Sequence, residues 1–300
     1  FPVDKLNQTN EVFSPLSGKA TYSETENELT VKAKNHTFIF SKRDGQLKGV
    51  SVNNHKISFA NGPRFIGARR ADRSLDQFYN HDDEKAKEKD RTYSEFPDAA
   101  VFTKLEVKED GGNLIVTANY KLGNLDKAQW TIHPNGEAAL DYTYNFSGVV
   151  DLMGICFDYP EDQVISKRWL GAGPYRVWQN RIHGTQYDVW ENDYNDPIPG
   201  ETFTYPEFKG YFGSVSWMNI RTKEGTISLT NETPDSYIGV YQPRDGRDRL
   251  LYTLPESGIS VLNVIPPVRN KVNSTDLCGP SSQPKWVDGP QTGRLVLRFE

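Results

Sequence analysis

Across residues 28–60, apolar and polar positions alternate in short runs divided by turn residues. ELTVKAK (28–34) leads into HTFIFSK (36–42), where Phe38 and Phe40 share one face. Asp44-Gly45 supplies a favoured hairpin turn. QLKGVSVN (46–53) then runs to Asn53-Asn54 and HKISFA (55–60). Turns spaced about ten residues apart predict a meandering antiparallel sheet. The period of two is strongest between residues 101 and 147. VFTKLEVKED meets the Gly111-Gly112 turn, and NLIVTANYKL alternates Leu114, Val116, Ala118 and Tyr120 with Asn113, Ile115, Thr117 and Asn119. AQWTIHP reaches the Asn135-Gly136 turn, and EAALDYTYNFSG follows it. There Leu140, Tyr142, Tyr144 and Phe146 face one way, and Asp141, Thr143 and Asn145 the other. Such strands predict a sheet with one buried and one wet face.

Strand patterns return in YFGSVSWMNI, GTISLTN, SYIGVYQ and SGISVLNVIPP. In the closing GRLVLRFE, Leu295, Leu297 and Phe299 are expected in the core. No long segment carries the helical period. Residues 1–27 are expected as an extended lead-in, with Pro2, Pro15 and Gly18 among polar residues. The charged stretch within 71–98 reads as a short surface helix or a loop. RWLGAGPYRVWQNRIHGTQYDV (168–189) holds three glycines, a proline, two Trp and three Arg. Such a composition is costly to order, and the chain is expected to stay loop-rich from there to about residue 208. The predicted fold class is all-β: one large two-layer antiparallel sandwich over residues 28–300, of roughly 16–20 strands.

Composition narrows this further. A chain of 300 residues buries roughly 75% of its unfolded surface, enough for a real core. Mean hydropathy is -0.67, and no apolar run approaches the length of a membrane-spanning helix. With 35 basic and 40 acidic side chains, the net charge of -5 argues against a nucleic-acid partner. No membrane partner is expected either. The 15 Tyr, 15 Phe and 6 Trp suit both strands and sugar stacking. Cys156 lies in an apolar run and is expected as a buried thiol, while Cys278 sits among Gly and Pro. A disulfide between them stays open. Five glycosylation sequons begin at Asn7, Asn35, Asn145, Asn231 and Asn273. Asn145 falls within a strand pattern, so the set reads as chance. The sequence starts at Phe1 without an initiating Met or signal segment, a pattern shared by complete chains and fragments. Its compartment is left open, with periplasm and secretion among the alternatives.

Candidate chemistry is sparse. His36, His55, His81, His133 and His183 are scattered, and no metal or cofactor is expected. DVWENDYND (188–196) reads as a solvated acidic loop rather than a cation site. Asp188, Glu191, Asp193, Asp196, Glu201 and Glu207 supply carboxylates for a glycosidase pair on paper, but none has a distinctive setting. No catalytic residue is assigned. Tyr175 and Trp178, beside Gly and Pro, are candidates to line a sugar groove. Arg176 and Arg181 either donate paired hydrogen bonds to a ligand or tie the loop to Asp188 or Glu191.

RWLGAGPYRVWQNRIHG resembles the hallmark of the C-terminal domain of glycoside hydrolase family 2 β-galactosidases, a WxGxGP core followed by an acidic-aromatic stretch closing on Arg. Trp169, Gly171, Gly173, Pro174 and Arg181 match, whereas Arg176, Val177, Trp178 and Asn180 depart from it. FIFSKRDGQLKGVSVNNHKI resembles the start of the same domain, and PRFIGARRADRS matches a further segment at Arg69 or Arg70, Ala71 and Asp72. VWENDYNDPIPGETFTYPEFKG also keeps the family order. The resemblance covers roughly residues 28–300. It implies a supersandwich domain similar to galactose mutarotases, following a TIM barrel that supplies both catalytic glutamates in the same full-length protein. It further implies a carbohydrate substrate, with a late loop carrying a substrate-contacting Trp. Here that loop reads NSTDLCGPSSQPKW: Asp276 keeps the acidic place, Cys278 and Gly279 occupy the aromatic one, and Trp286 is a substitute from farther along. The resemblance thus adds Arg69, Asp72, Asp276 and Trp286 to Tyr175, Trp178 and Arg181 as carbohydrate-binding candidates.

The leading expectation is the cleft-walling domain of a multidomain glycosidase. One alternative is a mutarotase-like epimerase, pairing His133 or His183 with Glu191 or Glu207 across the ring. The other is a stand-alone carbohydrate-binding module.

Overall fold

The computed structural model describes residues 18–70, 93–193, 210–241, 255, 257–267 and 279–300. Strands dominate them. The N-terminal group comprises β1 (Thr21–Glu24), β2 (Glu28–Ala33), β3 (His36–Ser41), β4 (Leu47–Val52), β5 (His55–Ile57), β6 (Ala60–Arg70) and β7 (Tyr93–Glu95). Then come β8 (Val101–Asp110), β9 (Asn113–Lys121), β10 (Leu125–Ile132), β11 (Ala138–Val150), β12 (Leu152–Asp158), β13 (Val164–Gly173) and β14 (Gln186–Asn192). The last group is β15 (Phe212–Gly213), β16 (Trp217–Thr222), β17 (Gly225–Asn231), β18 (Tyr237–Tyr241), β19 (Gly258–Val264) and β20 (Lys285–Phe299).

They form two antiparallel sheets. An eleven-stranded sheet runs β1-β2-β3-β4-β6-β12-β19-β18-β15, with β5 on β4 and β7 on β6. A nine-stranded sheet runs β14-β13-β16-β17-β20-β11-β10-β9-β8. The first sheet begins at Thr21, which pairs with Lys32, inside the stretch expected as lead-in.

The period-two pattern sets the packing. Leu114, Val116 and Ala118 of β9 and Leu140, Tyr142 and Tyr144 of β11 are buried. Leu295, Leu297 and Phe299 of β20 are buried too. Aromatic rings interlock across the layers: Phe40 meets Trp130 edge-on at 6.0 Å, and Trp130 meets Phe157 at 6.0 Å. The Glu224 carboxylate fastens one end of the sandwich, accepting bonds from Ser58 N (2.9 Å), Ser58 Oγ (2.6 Å) and Tyr159 Oη (3.2 Å).

The glycine-rich stretch departs from expectation. Its first part is strand β13, paired to β14 from Lys167↔Asn192 to Gly173↔Gln186 and to β16 on its other side. The glycines serve close packing within the strand. A Cβ on Gly171 would lie 3.0 Å from Gly213 O, and one on Gly173 only 2.3 Å from the Trp190 ring.

Candidate functional site

The residues joining β13 to β14 turn onto the outer face of the eleven-stranded sheet. Val177 exchanges backbone bonds with Tyr211, at 2.7 and 2.9 Å. Trp178 stacks edge-on against Tyr211 at 5.5 Å. Outward residues of the sheet meet them, and Ile66, Ala68, Leu152, Cys156, Val177, Trp178, Tyr211, Leu262 and Ile265 form a second buried cluster outside the main core. Trp178 is 6% exposed, so its ring is a floor of this face rather than an open platform. Arg176 holds its guanidinium carbon 5.0 Å from the Phe212 ring. The arginine beside Glu191 is Arg168, at 3.9 Å.

Polar contacts fix the loop to distant segments. Gln179 N donates to Pro266 O (3.1 Å), Gln179 Nε2 to Gln283 O (2.8 Å), and Asn180 Nδ2 to Ser282 Oγ (2.9 Å). Gln283 lies just before β20, whose Trp286 is 69% exposed and pairs with Val149 of β11. Two residues after Val149, Asp151 N donates to Ala68 O at 2.9 Å, next to the exposed Arg69. Tyr175, at 49% exposure, and the exposed Arg181 stand on the loop itself. Tyr175, Trp178 and Arg181 therefore share one corner of the sandwich, tied to the strands that carry Arg69 and Trp286. Parity turns those two elsewhere, Arg69 opposite to Ala68 and Trp286 outward from the nine-stranded sheet, since Val287 packs on the core. Asp72 and Asp276 lie outside the described residues.

The sequence reading missed the polar edge of this face. Arg64 Nη2 donates to Asp158 Oδ1 at 2.6 Å and reaches Cys156 Sγ at 3.7 Å, while Asn61 Nδ2 holds Asp158 Oδ2 at 2.6 Å. Burial pulls the guanidinium down, but Cys156 and Asp158 together raise it. Burial pushes the Cys156 thiol up, and Arg64 only partly offsets that. A neutral thiol leaves Asp158 as the working partner of Arg64. The signal available was parity, since Arg64, Ile66 and Ala68 alternate along β6 and must share a face.

Of the acid–base pairs considered for an epimerase, those with Glu191 are not assembled. His133 accepts or donates at Asn113 Oδ1 (3.0 Å) beside Glu137. Six strand spacings, roughly 29 Å, separate β10 from β14, which carries Glu191. His183 precedes Gln186, and Glu191 lies roughly 16 Å further along β14. Glu207 lies outside the described residues. Among the described residues, no group of His, Cys, Asp or Glu is placed to hold a metal ion, and no helix is long and apolar enough to cross a membrane. Cys156 is a free buried thiol.

Residues 32–263 match the family profile of the beta galactosidase small chain. The chain belongs to that family. Among curated protein sequences, none matches this small-chain member. Among solved structures, galactose 1-epimerase from Lactobacillus acidophilus NCFM superposes with a TM-score of 0.51 at 10% identity, covering 95% of this chain and 99% of that one. An alpha-N-acetylgalactosaminidase from Bifidobacterium bifidum gives 0.42 at 12% identity, over 90% of this chain and 36% of that one. A putative aldose 1-epimerase from Escherichia coli K12 gives 0.39 at 11% identity, over 94% and 99%. The first likeness establishes a galactose mutarotase-like sandwich for this small-chain domain, and nothing beyond the fold.

Proposed function

We propose that this chain is the sandwich domain of a multidomain β-galactosidase-type glycoside hydrolase, set beside a TIM-barrel that carries the catalytic glutamates. Its part is to wall the sugar cleft and to steady the substrate. The observation that supports this reading is the corner where the exposed Tyr175 and Arg181 stand over a floor that contains Trp178, with Arg69 and Trp286 on strands tied to it. Arginine forks donate to sugar hydroxyls, and exposed aromatic faces cover the apolar side of a pyranose ring. Asp72 and Asp276 complete the candidate set.

The test is a direct assay of the purified chain on aryl β-galactosides, with polarimetry of freshly dissolved galactose alongside. Neither hydrolysis nor accelerated mutarotation is expected. Turnover in either assay that follows the protein through purification would overturn the proposal, the second in favour of an epimerase. In the full-length enzyme, Tyr175→Ala and Arg181→Ala are expected to raise KM while leaving kcat less affected, because they remove ground-state contacts remote from the reacting bond.

A further inference from the structure

The nine-stranded sheet carries a feature that the corner does not use. β17 stops at Asn231, which pairs with Leu295, while β20 continues back to Lys285 along β11. At that step the outer face of the sheet opens into a hollow of about 280 Å³. Its polar lining is Lys127, Asp141, Thr143, Glu232, Thr292 and Arg294. Strand parity points these strand residues outward, since the intervening Tyr142 and Leu295 belong to the core.

Arg294 organises the hollow. Its Nη1 donates to Asp141 Oδ2 at 2.6 Å, and its Nε lies 3.2 Å from Glu232 Oε2. Its backbone is held as well, with Arg294 N donating to Thr233 Oγ1 at 3.1 Å and Glu232 N to Arg294 O at 3.0 Å. The hydrogen bond to Asp141 raises the guanidinium pKa more than burial lowers it. Arg294, Asp141 and Glu232 are therefore held in place before any ligand arrives.

We infer that this hollow is an accessory binding site for one neutral sugar residue. Its size sits at the low end of small-ligand pockets, at roughly 300 Å³, suited to a single ring. Two carboxylates balance the two cations, so a phosphate would face Asp141 and Glu232, and a cation would face Lys127 and Arg294. A polyol meets no such conflict. Its hydroxyls donate to the carboxylates and accept from Lys127 and Arg294, and the two threonine hydroxyls serve either way. Tyr142, Pro234 and Gly293 complete the lining, but the Tyr142 ring is buried and offers no exposed stacking face, which sets the affinity low. The choice of sugar as ligand rests on the functional reading above; the location does not.

The test is ligand-observed saturation-transfer NMR on the whole chain with galactose, glucose and a β-linked disaccharide, with inorganic phosphate as a control probe. Weak saturable binding of a sugar is expected. Thr292→Trp, which fills the hollow from an exposed position, and Lys127→Ala, which removes one donor, are each expected to weaken it by roughly tenfold or more with unchanged melting temperature. Arg181→Ala should leave this binding intact, which separates it from the corner. Absence of sugar binding, indifference to both hollow variants, or preference for phosphate would overturn the inference. Loss of binding only in Arg181→Ala would move the ligand to the corner and overturn it too.

Discussion

Gly173 shows how one missing atom shapes the chain. Its absent Cβ leaves room for the Trp190 indole, whose Nε1 donates to Gly171 O at 3.2 Å. Gly173→Ala must push that ring aside, and a loss of about 1–3 kcal/mol is expected, read from the urea midpoint. Tyrosines set the behaviour in alkali. Burial pushes Tyr142 up to about 12, with Thr233 opposing weakly, and it raises Tyr120, Tyr144 and Tyr159 further. In the unfolded chain these phenols ionise near their ordinary value of about 10. Below that pH both states hold the protons and stability does not depend on them. Above it the unfolded state releases protons that the folded state keeps, so stability falls as pH rises from about 10. Urea unfolding across that range, followed by tyrosinate absorbance, should show phenol ionisation coinciding with loss of structure; phenols that titrate freely while the fold persists would refute it.

Among the elements, those bounded by turn residues were legible in the sequence. Asp44-Gly45, Gly111-Gly112 and Asn135-Gly136 each close a hairpin, and at Gly136 the positive φ of 93° and the nearby His36 ring both exclude a side chain. β13 was not legible. Its glycines resemble punctuation, yet they serve contacts with Gly213, Val215 and Trp190 that only the assembled sheets reveal. The Glu224 clasp was equally hidden, because its bonds to Ser58 span 166 residues. Glu224→Ala removes the acceptor of three donors at the β16–β17 turn. It is expected to cost about 1–3 kcal/mol, with Glu224→Gln costing less, in equilibrium denaturation.

For the whole molecule, alternation alone indicated a two-layer sandwich, and the WLGAGP core indicated the family. The corner was only partly readable. Residue types nominated Tyr175, Trp178 and Arg181, but what fixes their loop is a set of bonds such as Gln179 to Gln283, across 104 residues. Arg64 and Asp158 were overlooked because their pairing joins β6 to β12, 94 residues apart. The cluster around Trp178 lies outside the main core, so its failure should stay local. Trp178→Ala is expected to remove about 3–5 kcal/mol from that cluster. Hydrogen exchange should then quicken at the Val177 and Tyr211 amides while β3 and β4 stay protected. β20 has a different consequence, for synthesis. The final strand lies in the interior of its sheet, between β11 and β17. Among the described residues, β8–β11 and the group β13, β14, β16 and β17 share no ladder until residues 285–299 emerge. The two half-sheets must wait with raw edges, and chaperone occupancy of nascent chains should end only when that last strand has slid between them.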